Sequence, residues 1–230
     1  MPITRIILIA ARVLVLAAGL AACSDDDVVG SPIASPDYLA FREQPTACGA
    51  ERPPAATEMQ YDSSGEADVS GTVAVVLHTS CGKIRLNLDA DTAPETVNSF
   101  VFLARDGYFN GTVSHRIIPG YIVQAGDPTA AGTGNPGYLI PDELPAPDFL
   151  YTRGVVAMAN SGLPDSAGSQ FFIMLDTAAL PPTYAVFGEV VDGFDVLDTL
   201  GRLPLGPHPL DPTNSRPLET VYLEWVEVVG

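Results

Sequence analysis

Lysine is almost missing from this 230-residue chain: Lys83 stands alone among 11 basic residues, against 28 acidic ones, 18 of them Asp. The formal net charge is −17. A surface so poor in cations repels nucleic acid and anionic lipid headgroups, which removes both as direct partners. Histidine is scarce as well. His78, His115 and His208 lie far apart, no two stand four residues apart, and no C-x-x-C occurs, so no metal centre is indicated. There is no G-x-S-x-G elbow, no internal repeat, and no apolar run of the ~18 residues that a spanning helix needs. "GTGNPG" (132–137) has the spacing of a dinucleotide-binding loop but not its context, since Pro136 and "YLIPDELP" follow where a helix should open.

What is present begins with an address. Arg5 and Arg12 precede the short apolar run "VLVLAAGLAA" (13–22), and "LAAC" (20–23) follows the form of a bacterial lipobox. On that reading residues 1–22 are a lipoprotein signal peptide, and Cys23 is acylated and becomes the mature N-terminus. The alternative is an ordinary signal cut nearby. Loss of 1–22 leaves nine basic against 28 acidic residues, a net −19. Residues 23–68, rich in Pro, Ala and acids, are expected to form a flexible tether, in which Tyr38 and Phe41 could pack on the domain. Cys48 and Cys81 remain, and an exported protein with two spare cysteines often joins them, for ~3 kcal/mol of stability. Two separate thiols are the other reading.

From residue 69 to 230 the texture is that of a folded domain. "GTVAVVLHTSCGKIRLNLD" (71–89) predicts a hairpin. In "DTAPETVNSFVFLARDGYFNG" (91–111), Val97, Phe100, Val101 and Ala104 fall at helical spacing, and Asp106-Gly107 ends the helix. Short β-like runs follow around Arg116, at 121–124, 154–160, 169–175 and 184–190; then a second helix (193–203), a Pro-rich loop, and a last strand (218–229). Short strands, two helices and long loops predict a mostly β fold, a barrel closed by helices.

Arg116 is the anomaly. It sits in "HRIIPGYIVQ", among Ile117, Ile118, Tyr121, Ile122 and Val123, and a guanidinium in apolar company needs a partner or a task. "HRIIPG" (115–120), "MAN" (158–160), "GSQFFI" (168–173) and "VFGEV" (186–190), with the first helix, resemble in order and spacing the cyclophilin family of peptidyl-prolyl isomerases, over about 70 to 228. The resemblance implies an eight-stranded antiparallel barrel capped by two α-helices. It implies peptidyl-prolyl cis-trans isomerase activity on proline-containing polypeptides, with Arg116 as the catalytic residue and no metal or cofactor. Tyr121, Ile122, Phe172 and Leu180 match the apolar floor under the proline ring, Ala159 a wall, and Gln124, Asn160 and Gln170 the partners of the flanking backbone.

The sequence departs from that pattern in places. Tyr121 stands where the family usually has Phe, Ala125 where it has Gly, and Ser114 replaces an apolar residue. Ala179 takes the position of an indole found in many members, and Tyr184 that of a His. Two rival readings share the residues: a groove that holds proline segments without turning them over, and a lipid-anchored envelope scaffold. The full expectation is an exported, lipid-anchored monomer that assists folding at the cell envelope.

Overall fold

A computed structural model describes residues 30–209 and 211–229. The signal segment and Cys23 lie outside the described residues. Eleven strands form two sheets. The first hairpin, β1 (Thr72–Thr79) and β2 (Gly82–Asp89), is as expected from its alternation, with Ile84, Leu86 and Leu88 all buried on one parity. Helix α2 (Pro94–Arg105) follows, with Pro94 in its first turn, where a missing N–H costs nothing. The Glu143 carboxylate accepts from the Glu95 and Thr96 N–H groups at 3.0 and 2.8 Å, satisfying donors that the helix itself leaves unpaired. Val97, Phe100, Val101 and Ala104 are buried against the sheet, as their spacing predicts.

Short strands β3 (Thr112–Val113), β4 (Arg116–Ile118), β5 (Ile122–Ala125), β6 (Val155–Met158) and β7 (Phe171–Met174) lead to β8 (Val186–Asp192) and helix α3 (Phe194–Leu200). The hairpin of β9 (Leu205–His208) and β10 (Asp211–Pro217) precedes β11 (Tyr222–Val229). The main antiparallel sheet runs β3-β11-β1-β2-β8-β6-β7-β5-β4, and β9-β10 is a separate two-stranded sheet. Its edge strands β3 and β4 are consecutive in sequence, and a lone bridge, Val113 to Asp127, links β3 to the end of β5. The sheet is therefore a curled barrel. Eight strands were expected; the ninth arises because Ser114 and His115 interrupt what would otherwise be one strand.

Two further expectations need correction. Residues from 30 onward are not a flexible tether but an arm packed on the barrel, and that arm contains a third helix, α1 (Pro36–Glu43). Tyr38 and Phe41 are fully buried beside Val113 and Tyr222, each contributing about 1.5–3 kcal/mol. The Tyr38 hydroxyl donates to Gly111 O at 2.9 Å and accepts from Ala56 N–H at 2.7 Å. Gly111 has φ +73°, and a Cβ there would meet Pro54 O at 2.6 Å, so only glycine lets the arm cross. Further on, Thr46 bridges Thr220, and Cys48 is joined to Cys81 by a disulfide. Among the described residues no helix is long and apolar enough to cross a membrane.

His115 lies where β3 breaks. Its ring is 1% exposed, and neither nitrogen has a hydrogen-bond partner among the described residues. Burial pushes its pKa down to about 4, against the opposing pull of Asp127 and with help from His208, Arg116 and Arg216.

Two outcomes follow for stability. The disulfide closes a loop with a sequence separation of 33, and its reduction is expected to cost about 3–4 kcal/mol by loop entropy, read from urea unfolding with and without reductant. The second concerns acid. The unfolded His115 ring takes up a proton near its ordinary pKa of 6.5 and the folded one only near 4, so the unfolded chain binds more protons between. Stability is therefore full above pH 6.5 and falls as pH drops through that window, by on the order of 3 kcal/mol. His115→Asn should flatten this part of the profile; an unchanged slope would remove His115 as its source.

Candidate active site

Strand alternation makes the site. On β4, β5, β6 and β7, one parity points into the barrel: Ile117, Val123 and Ala125, Val156 and Met158, Phe171 and Ile173 all belong to the main core. The other parity builds a separate apolar cluster on the outer face, including Ile122, Val155, Ala157, Phe172 and Met174, with Ile118, Tyr121, Leu180 and Tyr184 packed against it. Arg116 shares the outer parity. It is in the strand, yet not in the core.

Register then sets its neighbours. Arg116 faces Gln124, Gln124 faces Phe172, and Phe172 faces Ala157, one row across four strands. A slip of one residue in any strand would send a side chain of that row into the barrel. Together Arg116, Tyr121, Ile122, Gln124, Ala159, Asn160, Phe172, Leu180 and Tyr184 line a concavity of about 210 Å³. That is below the ~300–1,000 Å³ of drug-sized sites and on the scale of one ring with its flanking bonds. Gln170 lines an adjoining concavity of about 340 Å³, shared with Gln124, Ala159 and Asn160. Eight of the nine residues expected at the site thus meet in one hollow, and the ninth is next door. A larger hollow of about 820 Å³ lies under the arm near Trp225, with carboxylates from Glu58, Asp106 and Glu224 on its wall and no cationic side chain. Size does not mark the site here.

The polar side of the hollow is a directed chain. Arg116 Nη1 donates to Gln124 Oε1 at 3.3 Å, Gln124 Nε2 to Gln170 Oε1 at 3.0 Å, and Gln170 Nε2 to Gly134 O at 2.9 Å. A guanidinium can only donate, so each amide must turn its oxygen toward Arg116 and its nitrogen away. The Asn160 side chain works within the fold, donating to Thr183 O at 2.8 Å and accepting from Gly162 N–H at 3.0 Å. Phe172 and Tyr184 meet edge to face at 5.4 Å, and the Tyr151 hydroxyl donates to Tyr184 O at 3.0 Å. Burial, then nearby Tyr184, raises the Tyr121 pKa, so its hydroxyl stays neutral at physiological pH.

The departures noted in the sequence have locations. Ala125 points into the barrel core and Ser114 is buried. Ala179 is exposed and does not line the hollow, whereas Tyr184 does. "GTGNPG" is a loop around a carboxylate: Gly132 and Gly134 N–H donate to Asp127 at 2.6 and 3.2 Å, and a Cβ on Gly134 would meet Asp127 at 2.0 Å.

One residue was missed. Asp211, at the start of β10, receives Arg116 Nε at 2.8 Å and Nη2 at 2.6 Å on a single oxygen, Oδ2. Spacing could not have found it from 95 residues away. The Asp-Pro-Thr sequence at 211–213 does mark a turn that fixes its own carboxylate, but nothing in it names the partner.

Comparison with known proteins agrees with this geometry. The family model for "Cyclophilin type peptidyl-prolyl cis-trans isomerase/CLD" matches residues 74–228. "Peptidyl-prolyl cis-trans isomerase-like 3" of Dictyostelium discoideum is 39% identical over 153 residues, covering 65% of this chain and 94% of that protein. "Probable peptidyl-prolyl cis-trans isomerase B" of Mycobacterium leprae is 38% identical, covering 66% of this chain and 54% of that protein. A Cryptosporidium parvum cyclophilin-type isomerase crystallised in the presence of the dipeptide Ala-Pro superposes with a TM-score of 0.60, at 31% identity, over 68% of this chain and 99% of that one. With its curled antiparallel sheet and its Arg116 row, the chain belongs to the cyclophilin-type peptidyl-prolyl cis-trans isomerases.

Proposed function

We propose that the protein rotates X-Pro bonds of exported polypeptides through Arg116, assisting their folding at the outer face of a membrane to which a lipid on Cys23 holds it. The observation that carries the chemistry is the cross-strand row, which sets one permanent cation at the rim of a ring-sized apolar hollow. A peptide bond resists rotation by ~18–20 kcal/mol because its C–N bond is partly double. X-Pro bonds populate both isomers yet exchange over tens to hundreds of seconds. At half rotation the conjugation is broken and the proline nitrogen regains a lone pair. A guanidinium aimed at that nitrogen, or at the preceding carbonyl, binds the twisted bond better than either planar form, and only such a difference accelerates the reaction.

The hollow supplies the grip that makes the difference count. Ile122, Phe172, Tyr121 and Leu180 hold the ring, Ala159 closes the wall, and the Gln124 and Gln170 side chains, with the main chain of Asn160, serve the flanking backbone. The Cryptosporidium relative crystallised with Ala-Pro supports seating a proline ring here. Export is supported by the lipobox-like "LAAC" and by the Cys48–Cys81 disulfide, a bond that reducing compartments do not keep. In such a compartment slow X-Pro exchange limits the folding of clients.

Two experiments test this. In a cis-to-trans assay on a short X-Pro peptide, Arg116→Ala should lower kcat/KM by about 100-fold or more. Arg116→Lys should be intermediate, because it keeps the charge and loses the planar fork. Full activity in Arg116→Ala would remove Arg116 as the catalytic residue, and a wild type no faster than solvent that still binds proline peptides would leave a proline-binding groove rather than a catalyst. In cells, Cys23→Ala should abolish labelling by a radioactive fatty acid and release the protein from the membrane fraction. Persistent membrane association without label would refute the anchor.

A further inference from the structure

The Arg116 guanidinium is held on its far side by a group outside the motif strands. Asp211 Oδ2 takes both Nε and Nη2, at 2.8 and 2.6 Å, which fixes the plane of the guanidinium and leaves the Nη1 edge toward Gln124 and the hollow. The carboxylate is fixed in turn. Its Oδ1 accepts from Thr213 N–H at 2.9 Å and Thr213 Oγ1 at 2.6 Å, and its Oδ2 from Ser215 Oγ at 3.3 Å. Its side chain is 7% exposed, against 27% for Arg116, so the pair is shielded from competing water.

The hairpin that carries Asp211 is anchored from behind. Arg216, on β10, pairs with Asp37 at 3.0 Å, and its guanidinium lies 4.2 Å from the Phe41 ring centre on α1. The N-terminal arm thus backs β10, and β10 backs Arg116. Hydrogen bonds from Thr213, and then the charge of Arg116, hold the Asp211 carboxyl far below the usual carboxylate range, so it is ionised at every pH at which the protein works.

We propose that Asp211 is a positioning residue for the isomerisation, holding the Arg116 guanidinium in the plane from which Nη1 meets the twisted bond. This rests on the isomerase reading above. The same carboxylate also opposes the guanidinium's positive charge, and the two effects predict opposite signs. Orientation wins here because the charge of a guanidinium is spread over three nitrogens and survives pairing at two of them. Its direction, by contrast, is lost once a long side chain is released.

The test is peptide kinetics on the full mature chain. Asp211→Ala should lower kcat about 10-fold with KM changed less than 2-fold, because the groove that binds the ring is untouched. Asp211→Asn keeps the oxygen held by Thr213, so the hairpin stays folded whatever alanine does; a 3- to 10-fold fall in kcat is expected. In an Arg116→Ala background, Asp211→Asn should change nothing further, since it acts through that guanidinium. Side-chain NMR should show an Arg116 Nε–H signal protected from exchange in the wild type and lost in Asp211→Asn. Wild-type or faster kcat in Asp211→Asn overturns the positioning role. So does an effect confined to KM, or an equal fall with Arg116 already removed. A wild type no faster than solvent would instead overturn the isomerase reading, and the kinetics separate the two failures.

Discussion

A guanidinium must be kept half-bare, and much of the structure answers to that requirement. Arg116 needs enough partners to stay in one place and enough exposure to reach a ligand. Amides on one side and a carboxylate on the other meet the first need, and a shallow hollow meets the second. A cation buried without them would carry an uncompensated desolvation cost. A cation without confinement would point at nothing in particular.

The apolar economy of the sheet serves the same end. Four short strands are hydrophobic on both faces, which in an ordinary antiparallel barrel would be wasteful, because one face meets water. Here the second face is a small core of its own, and that core is the seat for a ring. Ile122 and Phe172 are nearly as buried as the residues inside the barrel, so the floor is preformed. A ligand entering it orders little that is not already ordered.

Much of this was written locally in the chain. Arg116 stood out as a lone cation in an apolar run, and the spacing of Val97, Phe100, Val101 and Ala104 gave α2 its buried face. Three of the four ordered motifs carry lining residues, Arg116 in the first, Ala159 and Asn160 in the second and Phe172 in the third, whereas "VFGEV" (186–190) carries none. What stayed hidden depends on contacts between distant segments. That Tyr38 and Phe41 could pack on the domain was legible, but not their helix, which at eight residues is too short for periodicity to speak, nor their partner Tyr222, more than 180 residues away. Asp211 stands in a proline-rich turn whose composition says loop and nothing about what the loop holds.

The arm has a bearing on how the molecule comes to be. Its backbone reaches the segment that leads into the last strand: Thr46 bridges Thr220, and Ala47 N–H donates to Thr220 O at 2.9 Å. A segment synthesised before any barrel strand is therefore among the last to find its place. Until residues 220–222 have emerged, Tyr38 and Phe41 lack the surface that covers them, and β10 lacks its backing. Closure of the arm on the barrel rests on contacts of high sequence separation and is finished only once residues 220–222 are in place.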